Sequence, residues 1–325
     1  MDQEVASGNA AGPVARRIFW ANLVTQTAIV ITGGLVRLTG SGLGCPSWPE
    51  CSPGSYTPVR EQPEGYHVYI EFGNRLLTFL VTAVAVATFV VAWRMVPRRR
   101  PLILLASAGL LGVFGQAVLG GITVLTDLHP ATVAAHLLLS MVLIAAAVAL
   151  VERSAEPGDG PARTLVRPEV RWLGRALPVV AAVVLVLGTI VTGSGPHSGD
   201  ADDPARFGLD PRTVSWLHAD VVIVFVGLVL AMVLALRLTD APARTRRRSL
   251  ELLGVTLAQG LVGYTQYFTH LPELLVAVHL LGACLVWIAT WRLLYALRVR
   301  DAGGDAAQGS AATTASANRA GAPAS

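Results

Sequence analysis

Five polar residues interrupt otherwise apolar stretches of this 325-residue chain: His136, His218, His279, Glu71 and Asn74. Two imidazoles on facing helices of a bundle are a recurrent way to hold a haem iron, with the macrocycle slotted between the helices. His218 and His279 suit that role as the two axial ligands of one haem. Zinc is the weaker alternative, because a closed tetrahedral site needs further ligands and only Asp220 is near. His136 has no equivalent partner, since the position in its half that answers to His218 is Asn74, a poor haem ligand. That half has Glu71 instead, three residues before Asn74 and on the same helical face. Two readings of Glu71 stand open: an acid/base or charge-stabilising group beside His136, or the i,i+4 helix partner of Arg75.

Further candidates lie near the ends of the apolar stretches. The segment GSGLGCPSWPECSPGS (40–55) brings Cys45 and Cys51 within six residues. Facing an oxidising compartment the pair closes a small disulfide ring, the alternative being two free thiols. Cys284, inside an apolar helix, reads as an inert buried residue. Arg37, Arg75 and Arg212 are candidates to meet haem propionates. The Tyr264, Tyr267 and Phe268 cluster is either an interfacial aromatic belt or a wall stacked on haem. Gly33, Gly34, Gly120, Gly121 and Gly263 permit close helix approach.

The elements that must position these residues follow from composition. Hydrophobic residues make up 53% of the chain and charged ones only 14%, with a mean hydropathy of +0.56. Soluble domains carry about 25% charged residues, so the deficit excludes a soluble enzyme, a disordered protein and a nucleic-acid binder. Eight apolar runs have roughly the 20-residue length that crosses a bilayer. They lie near 18–38, 68–93, 102–125, 131–151, 176–193, 214–236, 250–268 and 274–297. All 25 basic residues are arginines. With a cytoplasmic N-terminus, 20 of them fall inside and 5 outside, as the positive-inside rule requires. The reading is therefore an all-α integral membrane protein with eight spans and both termini in the cytoplasm.

The chain also repeats itself. Gln116 precedes His136 by 20 residues, as Gln259 precedes His279. An offset of 143 aligns residues 115–139 with 258–282 and pairs Gly120 with Gly263 and Leu128 with Leu271. A weaker match sets Asn74 opposite His218. The expected organisation is two tandem, pseudo-symmetric four-helix bundles. Residues 14–151 form the first, the reacting one; 152–171 are a Pro- and Gly-rich cytoplasmic linker; 172–300 form the second, which holds the cofactor. Disordered tails are expected at 1–13 and 301–325.

Five motifs in this order carry a family resemblance: TGSGLGCPSWPEC (39–51), YIEFGNRLLTF (69–79), HPATVAAHLL (129–138), SWLHADV (215–221) and QGLVGYTQYFTHLPELLVAVHLLGA (259–283). Together they resemble the haem A synthases of the actinobacterial type, over about residues 15–298. The resemblance implies oxidation of the C8 methyl of haem O to a formyl group through haem I. It implies haem b between His218 and His279, and haem O as substrate in the first bundle with Glu71 and His136 as functional residues. The second family histidine of that bundle falls on Asn74 here, and the family's cysteine pair falls on Cys45 and Cys51. As setting it implies a bacterial cell membrane with the sites toward the extracytoplasmic half, and as partners haem O synthase and cytochrome c oxidase assembly factors. The competing classes are a non-catalytic diheme cytochrome b-like electron carrier and a haem transporter.

Overall fold

A computed structural model describes residues 10–59, 62–197, 199 and 205–301. Eight long helices make up nearly all of it: α1 (Pro13–Leu38), α2 (His67–Arg94), α3 (Arg100–Leu125), α4 (Pro130–Ser154), α5 (Pro168–Ser194), α6 (Pro211–Leu238), α7 (Ala243–Phe268) and α8 (Glu273–Ala296). Five begin with proline in the first two positions, where the missing N–H is not needed by the helix and φ is already suitable. The Asp210 carboxylate caps α6 by accepting from the Thr213 N–H at 2.8 Å, as N-cap aspartates do. Seven of the helices are long and apolar enough to cross a membrane, so the chain is a multi-pass membrane protein. The exception is α7, which has the length but opens on ARTRRR.

The helices close two rings. In the first, α1 packs on α2 and α4, and α3 bridges α2 and α4; in the second, α5 packs on α6 and α8, and α7 bridges α6 and α8. Each ring therefore holds α2 and α4, or α6 and α8, at opposite corners. The repeat is visible in backbone detail. After α3, Asp127 and Leu128 adopt φ of 50° and 54°, and after α7, His270 and Leu271 adopt 65° and 60°. The Leu128 N–H donates to Thr123 O at 2.9 Å and the Leu271 N–H to Gln266 O at 2.8 Å, the same turn at an offset of 143.

Contacts between the rings run through α1 and α4 of the first and α5 and α8 of the second: α4 packs on α8 and α5, and α1 on α8. Trp287 of α8 donates to Met141 O of α4 at 2.7 Å in a buried position. Glu152, buried near the end of α4, accepts from Arg244 Nη2 and Arg292 Nε, both at 2.9 Å. A buried carboxylate needs such pairing. The main hydrophobic core, with Phe19, Leu102, Ile144, Leu150, Leu177, Met232, Leu252 and Leu293, lies toward this arginine-rich end.

Two segments carry structure that composition does not reveal. The segment expected as a linker carries structure: β1 (Ala162–Thr164) pairs antiparallel with β2 (Arg298–Arg300), Arg163 opposite Val299. Arg163 also pairs with Asp301 at 3.1 Å, so the segment just after α8 straps the connection between the rings. Three-residue strands show no periodicity in sequence, which is why composition suggested only a linker. At the other end, Ala11 is buried and its N–H donates to Ser154 O at 2.9 Å, so order begins before residue 13. The remainder of both expected tails, 1–9 and 302–325, lies outside the described residues.

Candidate functional site

Four side chains occupy matching places in the two rings. Asn74 is the eighth residue of α2 and His218 the eighth of α6; His136 is the seventh of α4 and His279 the seventh of α8. Each ring thus presents its pair from opposite corners. All four are half-buried. Each also lies against a glycine of the preceding helix. A Cβ at Gly120 would sit 3.2 Å from His136 Cε1, one at Gly188 3.3 Å from His218 Cε1 and one at Gly263 3.1 Å from His279 Cε1. Gly33 is the counterpart beside Asn74, its Cβ position 3.8 Å from Nδ2. The glycines therefore serve as seats for the polar side chains, not only as helix contacts. Gly188 was not among the candidates read from sequence, and the proximity of a Gly to an imidazole on another helix leaves no sequence signal.

The supports behind the two repeat-related histidines differ. Gln259 Nε2 donates to His279 O at 2.8 Å and lies 3.0 Å from His279 Nδ1, while its Oε1 has no partner. Turning that amide over puts Oε1 on Nδ1–H, the state in which Nε2 is free to ligate iron. Gln116, at the matching place, donates instead to Ser140 Oγ at 2.6 Å and to His136 O at 3.2 Å. His136 Nδ1 is left buried without a partner. The position matching Ser140 is Ala283, so the second ring has no hydroxyl to divert its glutamine. Both glutamines were legible as landmarks of the repeat, but not as supports of the histidines.

The hydrogen bonds of Glu71 lead to the loop and to Arg75. Its Oε2 accepts from the Cys45 N–H at 2.6 Å and its Oε1 from Arg75 Nε at 3.0 Å and Nη2 at 2.6 Å. Arg75 goes on to donate to Cys45 O at 2.8 Å and to Ser47 O and Glu50 O, each at 3.1 Å. A guanidinium has five N–H groups, and all five are engaged here, which leaves Arg75 none for a propionate. The i,i+4 reading of Glu71 thus describes its contacts, and the pair clamps the loop that carries the disulfide between Cys45 and Cys51. Trp48 in that loop packs its ring on Gly121 of α3, so the loop reaches from α2 to α3 at the end of the ring nearest Asn74 and His136.

The other two arginine candidates part ways. Arg37 donates to His197 O at 2.6 Å and Thr192 O at 3.0 Å and ties the two rings together. Arg212 is exposed and stacks on Trp216 at 5.0 Å. Cys284 is buried and unpaired.

The arrangement in the second ring fits a planar haem. Two imidazoles stand at opposite corners, and His218 Nδ1 is buried without a hydrogen bond. No residue of α6 before Phe225 and none of α7 after Thr256 is fully buried, so the ring is loosely filled where the imidazoles stand. Among the described residues, no group of three or more His, Cys, Asp or Glu could hold a metal, which disfavours the tetrahedral zinc alternative.

Residues 16–197 match the family described as COX15-CtaA, cytochrome oxidase assembly protein. The chain belongs to this family. The match takes in the first ring, the Cys45–Cys51 loop and α5. Curated relatives extend the similarity. A protein named heme A synthase from Caulobacter sp. is 27% identical over 89% of this chain and 96% of its own length. One of the same name from Brucella anthropi is 26% identical over 86% of this chain and 91% of its own. Another from Lysinibacillus sphaericus is 30% identical over 53% of this chain. That last match spans 55% of the relative's length, and one from Geobacillus thermodenitrificans spans 32%.

Proposed function

We propose that the chain is a haem A synthase: it oxidises the C8 methyl of haem O to a formyl group. Two successive hydroxylations convert CH3 to CH2OH, as in haem I, and then to CH(OH)2; loss of water leaves CHO. The methyl carbon gives up four electrons overall, and these pass to an external oxidant, with haem b as their route when bound. The observation that carries the reading is the matched set of corners, His218 with His279 and Asn74 with His136, each seated on a glycine, in a chain of this family. The first bundle, residues 14–151, receives haem O; the second, 172–300, holds haem b.

The residues divide the work. His218 and His279 would hold haem b, which supplies electron transfer when bound. His136 holds the substrate from one face. Gln116 with Ser140 and Gln259 set how firmly each imidazole is oriented, since the group behind a ligating histidine fixes its tautomer and ring plane. Glu71 contributes fixed negative charge near the reacting carbon through its clamp with Arg75 and holds the disulfide loop in place over the first bundle. The loop limits water at the site, which strengthens electrostatic effects there. The arginine-rich helix ends, including the start of α7, support eight spans with both termini cytoplasmic. The sites then lie in the extracytoplasmic half of a bacterial cell membrane, where the disulfide is stable. Haem O synthase and cytochrome c oxidase assembly factors are the fitting partners.

Expression in a host that makes haem O but has no haem A synthase tests the reading. Chromatography of extracted haems is expected to show haem I and haem A. Neither above background, with the protein present in the membrane, would sink it. An electron carrier of the cytochrome b kind would give that negative result with haem still bound.

A further inference from the structure

The two rings are built to one plan and differ at one corner. Where the second ring has His218 on its α6 corner, the first has Asn74 on α2, in the same eighth position and also beside a glycine. A carboxamide does not replace an imidazole as an iron ligand, but it is both a hydrogen-bond donor and an acceptor. Asn74 Oδ1 is buried and has no partner in the protein. Buried polar groups are ordinarily satisfied, so this oxygen and the amide it belongs to are held ready for something the chain itself does not supply. Across the ring, His136 has its Cε1 edge on Gly120 and a buried, unpartnered Nδ1. Three other polar side chains at this end of α2, His67, Glu71 and Arg75, are already committed. His67 Nδ1 meets Ser41 Oγ at 2.8 Å, and Glu71 and Arg75 are engaged with each other and the loop.

We propose that the first ring is a one-imidazole site, in which His136 ligates the substrate haem and the Asn74 carboxamide hydrogen-bonds a small ligand, of the water or diatomic class, on the opposite face of the iron. The inference rests on the haem reading above and deepens it. It assigns Asn74 as a positioning residue. It also separates the two rings by chemistry: the second saturates its iron with two imidazoles, whereas the first keeps a coordination place that an external ligand can enter. Asn74 acts on that ligand, not on the metal.

The probe is carbon monoxide, added to the reduced full-length protein purified with both haems. About half of the bound haem is expected to give a carbon monoxide difference spectrum, and His136→Ala should remove that fraction. Asn74→His should keep the haem content and lower carbon monoxide binding at least tenfold, because a second imidazole occupies the place. Asn74→Leu should keep carbon monoxide binding but shift the infrared C–O stretch, with Asn74→Gln moving it back toward the parent; a merely structural Asn74 would leave the stretch unchanged. Two bound haems that both refuse carbon monoxide would overturn the inference and leave the haem reading standing. A carbon monoxide-reactive haem that depends on His218 and His279 and survives His136→Ala would also overturn it. A protein that binds no haem would overturn both.

Discussion

The two rings share helix order, the left-handed turn after their third helix, and the helical positions of their central polar residues, yet they protect those residues differently. The second ring has an imidazole at both corners, a glutamine free to support His279, and no cysteines in its connecting loop. The first ring has one imidazole and one carboxamide, a glutamine held away by Ser140 Oγ, and a disulfide loop fixed by Glu71 and Arg75. The positions that match Glu71, Arg75 and Ser140 hold Ser215, Ala219 and Ala283. On the proposal above, one half of the repeated scaffold is a closed holder and the other a site that something must enter and leave. The changes are few because helix packing fixes where the four corner residues stand, so substituting one of them changes the chemistry without moving the frame.

The largest effect that would break this comparison concerns the histidines. His218→Ala or His279→Ala is expected to cut the tightly held haem at least tenfold, measured as pyridine haemochromogen per protein, while His136→Ala leaves that haem in place. Equal loss from all three would mean that the rings do not hold haem separately. Next in size is Arg75→Met. It strands the buried Glu71 carboxylate together with the Cys45, Ser47 and Glu50 carbonyls, and breaking a buried ion pair from one side costs about 3 kcal/mol or more. The melting temperature in detergent should fall by several degrees; an unchanged melting temperature would remove the clamp from the account. The smallest effect comes from the glycine seats. A Cβ at Gly263 or Gly120 meets the imidazole at 3.1 or 3.2 Å, closer than ordinary van der Waals contact. Gly263→Ala should therefore weaken haem retention several-fold in the second ring alone and Gly120→Ala in the first alone, as read from dialysis rates; loss from both rings in either variant would contradict separate seats.

Much of this was legible in the sequence because membrane helices put their exceptions on display. The apolar runs located all eight helices to within a few residues at most ends, α5 and α7 beginning about two turns earlier. The 143-residue offset identified the equivalence of His136 and His279 before any contact was known. Contacts made by loops were not legible. Arg75 looked free for a propionate because the carbonyls that occupy it belong to residues 25 to 30 positions earlier, and nothing in a helical pattern reveals which loop folds back. Glu71 left two readings open for the same reason. The strap between β1 and β2 joins residues more than 130 apart in three-residue strands, too short to leave a period. Ser140 stood in an apolar helix as one more small residue until its hydroxyl was seen to hold Gln116.

The central claim is that the two rings ligate iron differently, and electron paramagnetic resonance of the oxidised, fully loaded protein addresses it most directly. One low-spin signal, lost in His218→Ala and His279→Ala, should accompany one high-spin signal of equal amount, lost in His136→Ala. Two low-spin signals, with no high-spin component, would contradict it.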